Sequence, residues 1–470
     1  MTREFFYSGD LFMNFKNNFF ALRNIVIIIA LIFSLSGCGG SSHTDTISVS
    51  ESGRIVLGNE QFDEYIPMLS GKRVALYSNH TGIVGDMIFQ EDGSEADITN
   101  GNLEIDKSLI QFGTDSNGNE IIYGEHILDA LIEKNVNVTA IFCPEHGFRG
   151  TEDAGATIDD TVDEKTGIPI LSLYANNTHS PSSEDMGKFD TLVIDMQDVG
   201  LRYYTYYITM YYLMDACASA DKEVIILDRP NPNGFYVDGG ILQDSYKSGV
   251  GQLPIPVVYG MTWGELAQMI NGEGWLESGK NSCNLTVIPC KNYSHSKKSY
   301  LIRRPSPNIR DMRAVYLYAS ICFFENTSVS VGRGTDFPFE VYGSPYLENV
   351  EGFNFSFTPQ STSGAQNPPF ENKICYGEDL RNIPIENILN EGINPDYLVR
   401  AYNAVKGKLH DESFWGTPDG NGRYWIDKLS GSDKLRIMIE NGNTAQEIKA
   451  SWKDDIEFFK KQREPYLIYE

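Results

Sequence analysis

The run TLVIDMQDVGLRYYTYYITMYYLMDACASADKEVIIL, Thr191 to Leu227, decides the fold. Thr191–Ile194 and Glu223–Leu227 are rich in aliphatic and β-branched residues, as strands buried on both faces are, and Thr205–Ala220 between them has the length of a crossover helix. Strand, helix and strand in that order imply a parallel pair. Moving outward, strand-like runs recur at Arg73–Ser78, Val136–Phe142 and Ile168–Leu173, with helix-like stretches at Glu125–Glu133 and Pro181–Lys188. The expected architecture is therefore α/β, a Rossmann-like doubly wound domain. The first strand is not followed by GxGxxG, so no dinucleotide is implied.

The length of 470 residues exceeds what one core usually serves, and the character changes toward the C-terminus. A strand at Leu285–Ile288, the turn Pro305-Ser306-Pro307-Asn308, an apolar run Ala314–Phe324 and helices near Asn394–Val405 and Thr444–Lys461 suggest a smaller α+β domain. The expected division is 61–295 for the Rossmann-like domain and 296–470 for the domain that closes its cleft. Residues Asp86–Asn119, rich in Gly, Asp and Asn, read as an insertion.

The N-terminus carries a separate signal. An apolar run Ile25–Leu35 follows Lys16 and Arg23 and ends in Leu35-Ser36-Gly37-Cys38. It is short for a bilayer span but fits a signal peptide, and small residues before a cysteine match a lipoprotein processing site. Residues 1–38 are expected to be the signal, with Met13 a candidate start, Cys38 the lipidated residue and 39–60 a flexible tether. The protein would then sit in the cell envelope, held to the membrane by lipid. Six cysteines remain and no CxxC occurs, which excludes zinc-ribbon and thioredoxin patterns. A Cys283–Cys290 disulfide stays open. The net charge of -26 argues against nucleic acid as partner. No metal-ligand spacing is present and no cofactor is expected.

Ligands of open α/β sheets bind beyond the carboxyl ends of the strands. Val138–Cys143 leads there into Pro144-Glu145-His146-Gly147-Phe148-Arg149-Gly150, Leu192–Ile194 into Asp195-Met196-Gln197-Asp198, and Val224–Leu227 into Asp228-Arg229. A carboxyl group beside an apolar wall keeps its proton near neutral pH and can protonate a leaving oxygen, as glycosidic cleavage needs. Glu145 is the first candidate, its alternative being an ion pair with Arg149. Asp195 is the candidate second catalytic group and Asp198 a candidate substrate contact, with helix capping the alternative for both. Asp228 and Arg229 are expected to pair structurally. His146, Asn79 and His80 are candidates for sugar contacts, with capping the alternative for the Asn79-His80-Thr81-Gly82 turn. Glu325 and Arg333 follow an apolar run, and Arg333, between Gly332 and Gly334, suits a bidentate carboxylate contact or a solvated turn.

These blocks, with Gly71-Lys72-Arg73-Val74, Leu201-Arg202-Tyr203-Tyr204-Thr205-Tyr206 and Gly260-Met261-Thr262-Trp263-Gly264-Glu265-Leu266-Ala267, resemble in order the exo-β-N-acetylmuramidase family of NamZ-like glycoside hydrolases, formerly a domain of unknown function. The resemblance runs from about Gly71 to the C-terminus. It implies a Rossmann-like domain and a smaller one with a cleft between them, and removal of terminal non-reducing MurNAc from peptidoglycan fragments of MurNAc-GlcNAc type. It implies that Glu145 is the catalytic glutamate and that Arg149, Asp195, Asp198, Arg202 and Arg333 line the site. Tyr77 and Tyr203 stand where the family more usually has aliphatic or Phe-like residues. The alternative from another class is a lipid-anchored muropeptide-binding protein without catalysis.

Overall fold

The structure is a computed structural model and describes residues 55–84, 125–144, 148, 161–171, 173, 180–299, 301, 303–409 and 413–470. Its central strand is β1, Arg73–Ser78, buried from Val74 onward. β1 pairs in parallel with β4 (Asn137–Phe142) on one side and with β7 (Thr191–Asp195) on the other. β6 (Pro169–Leu171) lies outside β4, and β5 (Thr161–Val162) closes that edge in antiparallel sense. β8 (Glu223–Leu227) and β9 (Asn284–Ile288) extend the other side, giving the order β5-β6-β4-β1-β7-β8-β9. Chain order reverses between β1 and β7. This is the topological switch point at which doubly wound sheets open a crevice for ligands.

Alternation along the strands assigns each residue to one face of the sheet. Val74 and Leu76 pack on one side with Val193, Ile225 and the helix Ile127–Glu133. Ala75 and Tyr77 pack on the other with Leu192, Ile194, Ile226 and the helices Tyr206–Ser219 and Trp263–Gly272. The second helix starts at a capping box in which Thr262 accepts from the Glu265 amide and Glu265 accepts from the Thr262 amide. The ribbon β2 (Ile83–Val84) and β3 (Glu125–His126) extends the turn after β1.

C-terminal to the sheet, the fully buried helix Met312–Ile321 leads to a three-stranded antiparallel sheet. Its strands are β10 (Val341–Ser344), β11 (Phe355–Phe357) and β12 (Cys375–Asp379), in the order β10-β12-β11. Short helices complete this part. The described residues form one compact unit, so the change near residue 296 is one of architecture within continuous packing. The Tyr203 hydroxyl donates to the Tyr318 and Ala319 carbonyls, and the Asp238 carboxylate accepts from the Ile393 amide. The last residues return to the first domain, where buried Glu265 accepts from the Ile468 and Tyr469 amides and Tyr469 donates to Asp228.

Several local expectations change. Glu125 and His126 are strand, because they pair with β2, and the His126 imidazole then caps the helix by accepting from the Leu128 amide. Packed chain begins by Ile55, where Ile55 and Leu57 are fully buried and Val56 bridges to Lys291, so residues 55–60 are not tether. The helix expected over Thr444–Lys461 is two, Ala445–Ala450 and Lys453–Arg463. Cys283 and Cys290 are both free and buried. Cys38 and the Asp86–Asn119 insertion lie outside the described residues.

Candidate active site

At the switch point, Asn79 ends β1 and folds the chain into a tight turn, its Oδ1 accepting from the Thr81 amide (2.9 Å) and hydroxyl (2.6 Å). His80 Nε2 meets the Arg304 carbonyl at 2.7 Å, tying this turn to the Pro305–Asn308 segment. Both side chains are buried. Asn79 Oδ1 thus caps the turn, while its Nδ2 donates to no protein group among the described residues.

Asp195 ends β7 inside a sealed ion pair. Arg229 donates from Nε to Oδ1 (2.6 Å) and from Nη2 to Oδ2 (3.0 Å), and Asn59 Nδ2 adds a third bond to Oδ2 (3.0 Å). Arg229 therefore pairs with Asp195 and not with its neighbour Asp228, a correction that follows from geometry. Successive residues leaving a strand face opposite ways. Asp228 turns instead to the Thr262 hydroxyl (2.7 Å), the Gly264 amide (2.9 Å) and the Tyr469 hydroxyl (2.6 Å). Burial raises the Asp228 carboxyl to about 6, against the pull of those three donors.

Asp198 lies three residues beyond Asp195, in a turn that closes on Gly200. Gly200 adopts φ +75°, and a Cβ there would meet the Asn231 side chain at 2.0 Å, so only glycine fits. Asp198 Oδ1 accepts from the Gly200 amide (2.5 Å) and the Tyr259 hydroxyl (2.9 Å). Burial raises this carboxyl to about 7, opposed by those donors.

Arg202 is not available to a ligand. Its side chain is fully buried and donates to the carbonyls of Gly240 (2.8 Å), Ile255 (2.5 Å) and Leu429 (2.9 Å). The guanidinium crosses from one part of the fold to the other, and its role is to satisfy main-chain carbonyls that packing has cut off from water.

The second group of residues forms a cavity of about 400 Å³ lined by Glu325, Asn326, Val329, Val331, Arg333, Pro369 and Trp425. Arg333 donates to Glu325 Oε1 from Nε (2.9 Å) and Nη2 (2.5 Å), and its guanidinium lies 5.0 Å from the Phe339 ring centroid. The flanking Gly332 and Gly334 have φ of +79° and +81°, and a Cβ on Gly334 would meet the Gln360 carbonyl at 2.4 Å. Backbone and partner together fix the cation in place. The size is that of a small-molecule site, and an Arg333–Glu325 pair beside an indole and an amide suits a polar, partly apolar ligand. Asn326, next to Glu325 after the apolar run, was within reach of the sequence, whereas Trp425 carries no local signal beyond residue type.

Glu145, His146 and Arg149 lie outside the described residues. Of their block, Phe148 is described and buried, edge-on to the His126 ring at 4.9 Å. Among the described residues no three His, Cys, Asp or Glu side chains gather as metal ligands, and no helix is long and apolar enough to cross a membrane.

Comparison with known proteins bears directly on this arrangement. Residues 116–313 match the family model "Exo-beta-N-acetylmuramidase NamZ, N-terminal" and residues 316–469 match its C-terminal counterpart. The chain is 35% identical over 365 residues to the peptidoglycan beta-N-acetylmuramidase NamZ of Bacillus subtilis, covering 73% of this chain and 82% of that protein. It is similar in structure to two DUF1343 family proteins of Bacteroides fragilis. One is 48% identical with a TM-score of 0.71, covering 88% of this chain and 99% of that one. The other is 26% identical with a TM-score of 0.66, covering 89% and 99%.

Proposed function

The chain belongs to the exo-β-N-acetylmuramidase family and is a glycoside hydrolase, and from that premise we propose that it removes terminal MurNAc from the non-reducing ends of peptidoglycan-derived MurNAc-GlcNAc fragments, with Glu145 as general acid. The observation that carries the reading is the cavity around Arg333. MurNAc differs from GlcNAc by a lactyl carboxylate, and a protein of net charge -26 must gather a local cation to accept it. Arg333, immobilised by Glu325 and two glycines beside Trp425, supports that role. Arg149 is a second candidate.

β4, the neighbour of β1, ends at Phe142 on the edge where such sheets act on ligands, and Glu145 comes three residues later in the sequence. An acid there donates its proton to the glycosidic oxygen as the bond to the anomeric carbon breaks. The chemistry needs no cofactor. Lipidation of Cys38 would hold the hydrolase at the membrane, facing cell-wall fragments.

The test is Glu145→Gln, which keeps the shape and removes the proton donor. On a chromogenic MurNAc glycoside, turnover is expected to fall about 10²-fold or more, the scale of general acid catalysis, with affinity retained. Near-normal turnover would overturn the assignment.

A further inference from the structure

Among the described residues, the carboxyl edge of the large sheet carries three buried aspartates, and they are not equivalent. Asp195 takes three donors over both oxygens, from Arg229 and Asn59. Asp228 also takes three, from Thr262, Gly264 and Tyr469. Asp198 uses Oδ1 for Gly200 and Tyr259, whereas its Oδ2 accepts no hydrogen bond although the residue is only 6% exposed. A buried carboxylate oxygen left without a donor is costly, and such groups concentrate where a partner is meant to arrive.

A second unpartnered atom lies beside it. The indole Nε1 of Trp263 is buried and faces the same carboxyl, favouring its charged form, but stands short of full hydrogen-bond geometry. Asp198 and Trp263 both line a cavity of about 10 Å³, bounded also by Met196, Gln197, Arg229 and Tyr259 among others. That is about the room one water needs, and a water can donate to the carboxylate and accept from the indole. Among the charged and titratable groups nearby, Arg229 is committed to Asp195, and Tyr204, Tyr207 and Tyr259 are neutral phenols. None neutralises Asp198. Its acidity near neutrality is that of an efficient general base.

We infer that Asp198, and not Asp195, is the second acid–base group of this hydrolase, holding on its free Oδ2 the water that attacks the anomeric carbon of the sugar. The inference rests on the muramidase reading. The water oxygen bonds to C1 as the C1–O glycosidic bond breaks, and the water's proton passes to Oδ2. The leaving oxygen takes its proton from the general acid. Asp198 then returns its proton to solvent, from which the acid is reprotonated, so the net change is the addition of one water. A single displacement of this kind inverts the configuration at C1.

Proton NMR of the first product decides it in the wild-type protein. A β-linked substrate should release α-MurNAc first, and initial release of the β-anomer would overturn the inference. Asp198→Asn should lower kcat about 10²-fold or more with KM within about threefold. It should also abolish the acid limb of the kcat/KM profile expected near pH 7. Wild-type turnover with that limb intact would refute the role. If Asp198→Asn does not fold, Tyr259→Phe removes a donor that favours the charged carboxylate and should move the limb to higher pH. An unmoved limb in that variant would also refute it. Failure of the muramidase reading is separately visible, as absence of any MurNAc release by the wild type.

Discussion

Asp195→Asn separates a structural carboxylate from a catalytic one. The Asp195 side chain is sealed and that of Arg229 is 4% exposed, so the substitution leaves a guanidinium in the core with no countercharge. Breaking a buried pair from one side costs about 3–5 kcal/mol, most of it the uncompensated charge. Arg229→Met leaves the Asp195 charge stranded in the same way. Removing both charges together, as Asp195→Leu with Arg229→Met, is expected to come within about 1–2 kcal/mol of the parent, because apolar pairs often replace buried ion pairs at little cost. With Asp195→Leu as the matching single, the cycle should therefore show coupling of at least about 4 kcal/mol, since each single loses about 3–5 and the double only about 1–2. Urea unfolding followed by fluorescence and circular dichroism measures it, with turnover normalised to folded protein expected within about threefold of the parent for Asp195→Asn. A loss below about 1 kcal/mol accompanied by a drop in turnover of about 10²-fold would place Asp195 on the substrate and refute the structural role.

Other expectations follow from the same contacts. Arg333→Ala should lose about 10- to 150-fold in kcat/KM on MurNAc substrates and spare residual activity on GlcNAc ones, the scale of a lost hydrogen bond to a charged group. Arg202→Met should keep that preference but lower the unfolding midpoint, since three buried carbonyls lose their donor. Kinetics on paired substrates with parallel melts distinguish the two. Asp228 is raised from 3.8 to about 6, so the folded state holds a proton that the unfolded chain releases, and stability falls as pH rises through that window. Asp228→Asn should remove this decline, and an unchanged slope of midpoint against pH would contradict it. Cys38→Ser should shift the protein from the membrane fraction to the soluble one. Unaltered fractionation would count against lipidation.

The sequence disclosed the main sheet because buried parallel strands are continuous apolar runs. Arg73–Ser78 and Glu223–Leu227 emerge with the boundaries their composition suggests. β5 has only Thr161 and Val162, too short for any periodicity, and its antiparallel pairing is set by β6. The site was legible as a set of strand ends but not as partnerships. Arg229 reaches back 34 residues to Asp195, and nothing local distinguishes that from pairing with Asp228. Arg202 misleads for a different reason. Arginine is seldom fully buried, so its place in a Tyr-rich block suggests a reachable cation, and only the three carbonyls converging on it reveal otherwise. The sequence cannot distinguish saturated Asp195 from half-satisfied Asp198, since both are simply acids after one strand and differ only in the donors that folding brings to them.

Exo-hydrolysis at the non-reducing MurNAc shows in the products, read by liquid chromatography and mass spectrometry. Incubated with MurNAc-GlcNAc and with longer glycans ending in MurNAc, the wild-type protein should release free MurNAc one residue at a time and leave a GlcNAc-terminated product that it cuts no further. Release of disaccharides from within the chain, release of GlcNAc first, or no cleavage with ligand bound would each contradict the account.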